Sequence, residues 1–132
     1  MSAAPARVIV LGGYGAFGSR LCALLARSPG LEVHVAGRSR AAAERACAAL
    51  GAERTRAAAL DRDAPEVLAA YLREHRPAVV VDCAGPFRGR EPVVPRLAAD
   101  HGAHAIDLAD DREYVTGIVA LDALAKSRDV LV

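Results

Sequence analysis

The chain has 132 residues, 53% hydrophobic and 25% charged, with a formal net charge of +1. That balance fits one globular domain with a sizeable core and sets no strong field toward nucleic acid or an anionic membrane. The five aromatic side chains (Tyr14, Phe17, Tyr71, Phe87 and Tyr114) are too few for a base-stacking platform.

Residues 1–6 read as a disordered tail without the charged and long apolar regions of a signal peptide. Val8–Leu11 is an apolar first strand of the kind buried on both faces in a parallel sheet. It runs straight into Gly13-Tyr14-Gly15-Ala16-Phe17-Gly18, a G-x-G-x-x-G spacing. Phe17, Leu21, Leu24, Leu25 and Ser28 then recur at helical spacing, and Ser28-Pro29-Gly30 stops that helix. A second strand follows over Glu32–Ala36, then an Ala-rich helix over Ala41–Leu50 closed by Gly51. Arg54–Leu60 is a third, weakly apolar strand. The next helix is expected to start with Asp63 as N-cap, Pro65 in the first turn and Glu66 three residues on. Val67, Leu68, Tyr71 and Leu72 form its apolar stripe.

Ala78–Cys83 is the fourth strand. Pro92 opens a helix with Val93, Val94, Leu97 and Ala98 on one side, and Gly102 closes it. Ala103–Leu108 is the fifth strand, and Glu113–Ser127 is helical in two pieces divided near Gly117. Val130–Val132 begins a sixth strand. The alternation predicts a Rossmann-type doubly wound parallel α/β sheet over residues 7–132, with strand order 3-2-1-4-5-6. A sixth strand of three residues reads as truncated, leaving an open edge.

The strand, glycine turn and helix together are what a dinucleotide diphosphate requires. Gly13 is expected to make the turn, Gly15 to let the backbone approach the phosphates, and Gly18 to let helix and strand pack closely. The phosphates would lie at the helix N-terminus, where free N–H groups and the dipole favour an anion. NAD sites place Asp or Glu at the end of the second strand to hold the ribose hydroxyls. This chain has Gly37-Arg38-Ser39-Arg40 there. Arg38 offers a fork for a 2′-phosphate or a plane to lie on adenine, Ser39 a hydroxyl and Arg40 further charge, which favours NADP(H) over NAD(H). The competing reading is two solvated arginines with Ser39 only capping the next helix. Asp61 could touch the adenine edge, but a loop role is favoured.

Three more stretches join these: Val79-Val80-Val81-Asp82-Cys83-Ala84-Gly85-Pro86-Phe87, Gly102-Ala103-His104-Ala105-Ile106-Asp107-Leu108-Ala109-Asp110 and Leu121-Asp122-Ala123-Leu124-Ala125-Lys126. With the glycine motif and Ala36-Gly37-Arg38-Ser39, the chain from Arg7 to Val132 resembles the NADP-binding domain of the saccharopine dehydrogenase family. The resemblance implies NAD(P)-dependent oxidoreductase chemistry in a longer protein, whose substrate domain this sequence lacks, so the fragment is expected to be inactive alone. It also implies that Gly13, Tyr14, Gly15, Ala16, Phe17 and Gly18 hold the diphosphate and Arg38 and Ser39 the adenosine side. Ala84, Gly85, Pro86 and Phe87 would line the path to the nicotinamide. That last assignment also follows from the crevice between the first and fourth strands, where strand order reverses; the alternative is a bare loop that packs Phe87 into the core.

Other residues point to less. His101 and His104 lie near Asp107, Asp110 and Asp111, but Gly102 separates the histidines, so no metal is expected. His101 is expected to cap its helix, and Asp110 or Asp111 the next one. Asp107 lies near a strand end facing the crevice, where a substrate role is not the favoured reading. Cys83 reads as a small hydrophobe, and His34 and His75 as surface residues of a strand and a helix. No catalytic residue can be assigned. Gly12, Gly15 and Gly18 also satisfy the spacing of short-chain reductases, but no Tyr-x-x-x-Lys pair exists here. A non-catalytic NADP(H)-binding redox sensor is the alternative from another class. Cys22, Cys47 and Cys83 form no disulfide framework, which suits a cytoplasmic setting. A small-molecule substrate would be held mainly by the missing domain, and the oligomeric state stays open.

Overall fold

The computed structural model describes residues 3–51 and 53–132. Its elements, in chain order, are β1 (Ala6–Leu11), α1 (Ala16–Leu25), β2 (Leu31–Gly37), α2 (Arg40–Leu50), β3 (Thr55–Ala59), α3 (Pro65–His75), β4 (Val79–Asp82), α4 (Val93–Asp100), β5 (His104–Asp107), α5 (Arg112–Gly117), a 3₁₀ turn (Ile118–Leu121) and α6 (Asp122–Ser127). The strands form one parallel sheet in the order β3-β2-β1-β4-β5. This is the predicted Rossmann-type arrangement over five strands. Val130–Val132 adds no sixth strand, although the Leu131 carbonyl accepts from the Ala105 N–H at 2.9 Å, the first contact outside β5. The tail also ends earlier than expected, because Ala6 belongs to β1 and its N–H bonds the Gly30 carbonyl; residues 1 and 2 lie outside the described residues.

Alternation along the strands divides the core in two. Ile9, Leu11, Ala36, Ala58 and Val80 meet Leu68 and Leu72 of α3 and Val94 and Ala98 of α4. Val8, Val10, Val33, Val35 and Val81 meet Cys22 of α1 and Ala46, Cys47 and Leu50 of α2. The three central strands β1, β2 and β4 thus give apolar residues to both sides, as a sheet covered by helices on both faces demands, whereas the flanking β3 and β5 each give to one. A smaller cluster of Ala99, Ala125 and Val130 seats α6 on α4.

The helix ends follow local chemistry. Ser39 caps α2 by accepting from the Ala42 N–H, and Gly51 ends that helix in the left-handed region. Asp111 caps α5 by accepting from Tyr114 N–H, and His101 Nδ1 lies 2.8 Å from the Leu97 carbonyl. Asp63 does not cap α3. The N-cap is Ala64, without a side-chain bond, because the Asp63 carboxylate is drawn across the cleft to Arg90.

His34 is not on the surface. It is fully buried on the α3 face, with Nδ1 2.5 Å from the Tyr71 hydroxyl and Nε2 2.7 Å from Glu32 Oε1. The rings of Tyr71 and His75 pack around it, with His75 part-buried. A polar residue can occupy this apolar layer because both ring nitrogens find partners. Burial nevertheless holds the His34 pKa below its ordinary 6.5, against the pull of Glu32. The unfolded chain then takes up a proton at His34 at a higher pH than the folded chain does. Stability is therefore expected to fall as pH drops through 6.5, and to fall again below 4.5, where the lowered Glu32 pKa adds its own loss. Thermal melts from pH 7.5 to 5.5 check this, with His34→Gln expected to flatten the slope. A wild-type slope no steeper than the variant's contradicts it.

Candidate functional site

A cleft of about 330 Å³ opens at the carboxyl ends of β1 to β4. Its walls include Gly12, Tyr14 and Gly15 from the turn after β1, Gly37 and Arg38 from the end of β2, Asp61 to Asp63 after β3, and Cys83 to Pro86 after β4. It spans the point between β1 and β4 where strand order reverses, the place where open α/β sheets take ligands.

The turn itself differs from expectation by one residue. Gly12, not Gly13, holds the positive φ, +72°. A Cβ on Gly12 would also sit 3.0 Å from the Cys83 carbonyl and Ala84 nitrogen, so this position is closed to side chains twice over. Gly13 lies buried beneath the turn and donates to the Ala36 carbonyl at 3.0 Å, extending the sheet by one bond. Gly18 is pressed against the turn from the helix side: a Cβ there would lie 2.0 Å from the Gly12 carbonyl oxygen. Gly15 is the N-cap of α1, and no side chain caps this helix or places a carboxylate in its first turn. The N–H groups of Ala16, Phe17 and Gly18 therefore form an uncapped, positive helix end at the cleft.

Tyr14 ties the loop after β1 to the loop after β2. Its ring stands on Gly37, where a Cβ would lie 2.4 Å from the ring edge, and its hydroxyl accepts from the Ser39 N–H at 3.0 Å. Arg38 and Arg40 are exposed, and among the described residues neither makes a hydrogen bond or ion pair. Ser39 uses an oxygen lone pair to cap α2, which leaves its O–H free to donate. No carboxylate of β2 reaches this rim; Glu32 lies at the strand's other end, on His34. Asp61 turns back on its own loop, with Oδ1 accepting from the Asp63 N–H.

The loop after β4 is where the sequence reading needs most revision. Ala84, Gly85 and Pro86 face the cleft, with the Gly85–Pro86 bond cis. Phe87 does not: it is buried against Tyr114, ring centres 5.1 Å apart. The residue missed altogether is Arg62. Its guanidinium reaches from the loop after β3 to the Ala84 carbonyl (Nη1, 2.6 Å), the Pro86 carbonyl (Nη1, 3.4 Å) and the Asp82 carboxylate (Nη2 to Oδ2, 2.9 Å), and lies 4.9 Å over the Phe87 ring. The contact to Asp82 Oδ2 is off the hydrogen-bond angle, so charge holds it. Burial pushes the Asp82 carboxyl up, while Arg62 and the Ala84 N–H pull it down. The Tyr114 hydroxyl is buried beside this group without a hydrogen bond of good geometry, and burial raises the phenol to about 12. A signal existed in the sequence only as an arginine between two aspartates, which no local motif distinguishes from a surface loop.

The remaining candidates are occupied elsewhere. His104 Nδ1 accepts from the Leu131 N–H, and Asp107 Oδ1 accepts from the Ala109 N–H. Among the described residues no three His, Cys, Asp or Glu side chains group to hold a metal ion, and no helix is long and apolar enough to cross a membrane. Cys83 belongs to the cleft wall, its side chain packs against the core beneath α1, and burial raises the thiol pKa.

Comparisons with known proteins agree with this geometry. Among curated protein sequences none matches the chain. The fold matches saccharopine dehydrogenase (L-Glu forming) from Saccharomyces cerevisiae with a TM-score of 0.72 at 19% identity, over 95% of this chain and 26% of that one. It also matches GenD2 from gentamicin A biosynthesis, solved with NAD (TM-score 0.67, 20% identity, 98% of this chain and 34% of that one). A third match is a variant of KijD10, a 3-ketoreductase from Actinomadura kijaniata solved with TDP-benzene and NADP (0.64, 24%, 97% and 37%). The chain thus spans about a quarter to two fifths of the length of these proteins. The sequence pattern described as saccharopine dehydrogenase NADP binding domain covers residues 8–131. A glycine cradle at an uncapped helix end, on a sheet of this order, with that match over nearly its whole length, makes this chain a member of the saccharopine dehydrogenase NADP-binding domain family.

Proposed function

We propose that this chain is the NADP(H)-binding part of an oxidoreductase acting on a small-molecule substrate, that it selects NADP(H) over NAD(H), and that it does not turn over substrate alone. The observation that carries the reading is the β2 terminus: among the described residues Arg38 makes no hydrogen bond or ion pair on the cleft rim, with Ser39 O–H and Arg40 beside it and no carboxylate from β2, while the neighbouring Asp61 and Asp63 are engaged by the Asp63 N–H and Arg90. A guanidinium there suits a 2′-phosphate, whereas a ribose diol would want an acceptor. The cleft fits the rest of the nucleotide. Gly15 leaves the α1 end uncovered, so the N–H groups of Ala16, Phe17 and Gly18 would take the diphosphate. Gly13, its N–H held by the Ala36 carbonyl, would close the cradle from below rather than touch the phosphates, and the missing side chain of Gly18 lets α1 come close enough to offer its N–H. Tyr14 would hold the Arg38-Ser39 rim at a fixed distance from that cradle. Ala84, Gly85 and Pro86 would wall the nicotinamide half, with Phe87 supporting them from behind.

When bound, the nicotinamide supplies the hydride donor or acceptor. The chain's own residues bind and orient. None is placed as an acid or base: Asp61 and Asp63 are engaged with the Asp63 N–H and Arg90, Asp82 with Arg62, and burial keeps the Cys83 thiol protonated. This supports the expectation that chemistry needs residues beyond this domain. The three free thiols suit a reducing, cytoplasmic setting.

Titration with NADPH and NADH, followed by nicotinamide fluorescence, tests the assignment. NADPH is expected to bind more tightly. Arg38→Ala is expected to weaken NADPH by about ten- to one-hundred-fold, the worth of one charge-assisted phosphate contact, while NADH changes little. Equal affinity of the wild-type chain for both nucleotides overturns the 2′-phosphate site.

A further inference from the structure

We propose that Arg62 is a positioning residue: its guanidinium holds the Ala84–Phe87 loop as a preformed wall, and so sets how tightly the nicotinamide half of the dinucleotide is held. The proposal rests on the dinucleotide reading above.

Four contacts converge on this one side chain. Arg62 reaches across from the loop after β3 to the loop after β4, two segments with no strand pairing between them. One nitrogen, Nη1, donates to the Ala84 carbonyl and reaches the Pro86 carbonyl, which fixes the loop backbone on both sides of Gly85. The other, Nη2, faces the buried Asp82 carboxylate, itself anchored by accepting from the Ala84 N–H at 3.0 Å. The flat face lies over Phe87, whose other side packs on Tyr114. Arg62 thus closes a ring of contacts: Asp82 to the Ala84 N–H, the Ala84 carbonyl to Arg62, and Arg62 back to Asp82. The Arg62 side chain is 9% exposed and that of Asp82 2%. A buried pair of this kind adds little net stability over an apolar pair of similar volume, but it does fix geometry. A lysine could meet Asp82 but could not reach two carbonyls and stack on Phe87 together.

The wall it holds is the cleft surface farthest along the sheet from Arg38, since β4 and β2 flank β1 on opposite sides. Ligands that end at the diphosphate do not reach that wall, and ligands that extend past it do. A preformed wall spares the ligand the cost of ordering the loop. Loosening it should therefore weaken a full dinucleotide and leave its adenosine half alone.

The test compares NADPH with adenosine 2′,5′-bisphosphate on the full chain, using wild type, Arg62→Lys, and the double variant Arg62→Met with Asp82→Leu, which removes both charges and so strands neither. In folded variants the bisphosphate affinity is expected to stay within about twofold, while NADPH falls about tenfold in the double variant and by less in Arg62→Lys. In the wild-type chain, NADPH but not the bisphosphate is expected to slow amide exchange at Gly85 and Phe87, a measurement that needs no variant. A variant that loses both ligands equally, one that is folded and loses neither, or amide exchange unchanged by NADPH overturns the role of Arg62. A wild-type chain that binds neither ligand overturns the dinucleotide reading itself, and this inference with it.

Discussion

Gly18→Ala is expected to destabilise the folded chain by at least about 3 kcal/mol, read as a drop in the urea midpoint without a change in slope. The added methyl would lie 2.0 Å from the Gly12 carbonyl oxygen, 2.8 Å from its carbon and 2.9 Å from the Gly13 Cα. All three are backbone atoms, so no rotamer change can make room. Gly12 cannot retreat, because its far side meets the Cys83 carbonyl and the Ala84 nitrogen across the β1–β4 junction. Gly13 is pinned below by its bond to Ala36. The helix would have to lift off the sheet, taking with it Cys22 and the packing of Leu21 and Leu25 against Val8, Val10 and Val81. Little is gained in return, since the higher helix propensity of alanine is worth only about 1 kcal/mol. A variant that unfolds at the wild-type urea concentration would mean that the close approach of α1 to the turn is not structural.

What the sequence made legible follows from where the deciding forces act. Strands and helices were readable because Val8–Leu11, Ala78–Cys83 and the stripe of α3 are specified by burial, which leaves a period in the chain. Ser39, Gly51, His101 and Asp111 were readable as caps because capping is a contact between near neighbours. Sites that depend on contacts between distant segments were not. Arg62 meets Ala84, 22 residues on, and Arg90 meets Asp63 across 27. The pull of Arg90 is what removed Asp63 from the cap it was expected to make. His34 looked exposed because its near neighbour Glu32 meets only one ring nitrogen; Tyr71, 37 residues away, meets the other. Phe87 could not be assigned from its loop, since Tyr114 and Arg62, which bury it, come from other parts of the chain. The misplaced turn has a different cause. Gly12 and Gly13 are adjacent, and only the backbone shows which of two neighbouring glycines carries the positive φ.

Gly15→Ala is expected to give the opposite outcome to Gly18→Ala: a chain that still folds but has lost its dinucleotide. Gly15 sits at φ −78° and ψ −178°, extended backbone open to any residue. Its added Cβ meets only the Gly12 carbonyl oxygen, at 3.2 Å, which a shift of a few tenths of an ångström relieves. The stability loss should therefore stay near 1 kcal/mol, the usual size of an N-cap change to alanine. The methyl would stand at the mouth of the α1 end, in the cleft wall that Gly15 now leaves bare. A diphosphate pushed outward by it gives up one or two charge-assisted bonds to the N–H groups of Ala16 to Gly18, each worth about 1.5–3 kcal/mol. NADPH and NADH should weaken together by about ten- to one-hundred-fold or more, because the loss falls on the part they share. That common loss separates this variant from Arg38→Ala, which should affect NADPH alone. Calorimetric titration of both nucleotides, beside a melting curve, decides the matter. A stable Gly15→Ala chain that binds NADPH as the wild type does would mean that the phosphates lie elsewhere than at the start of α1.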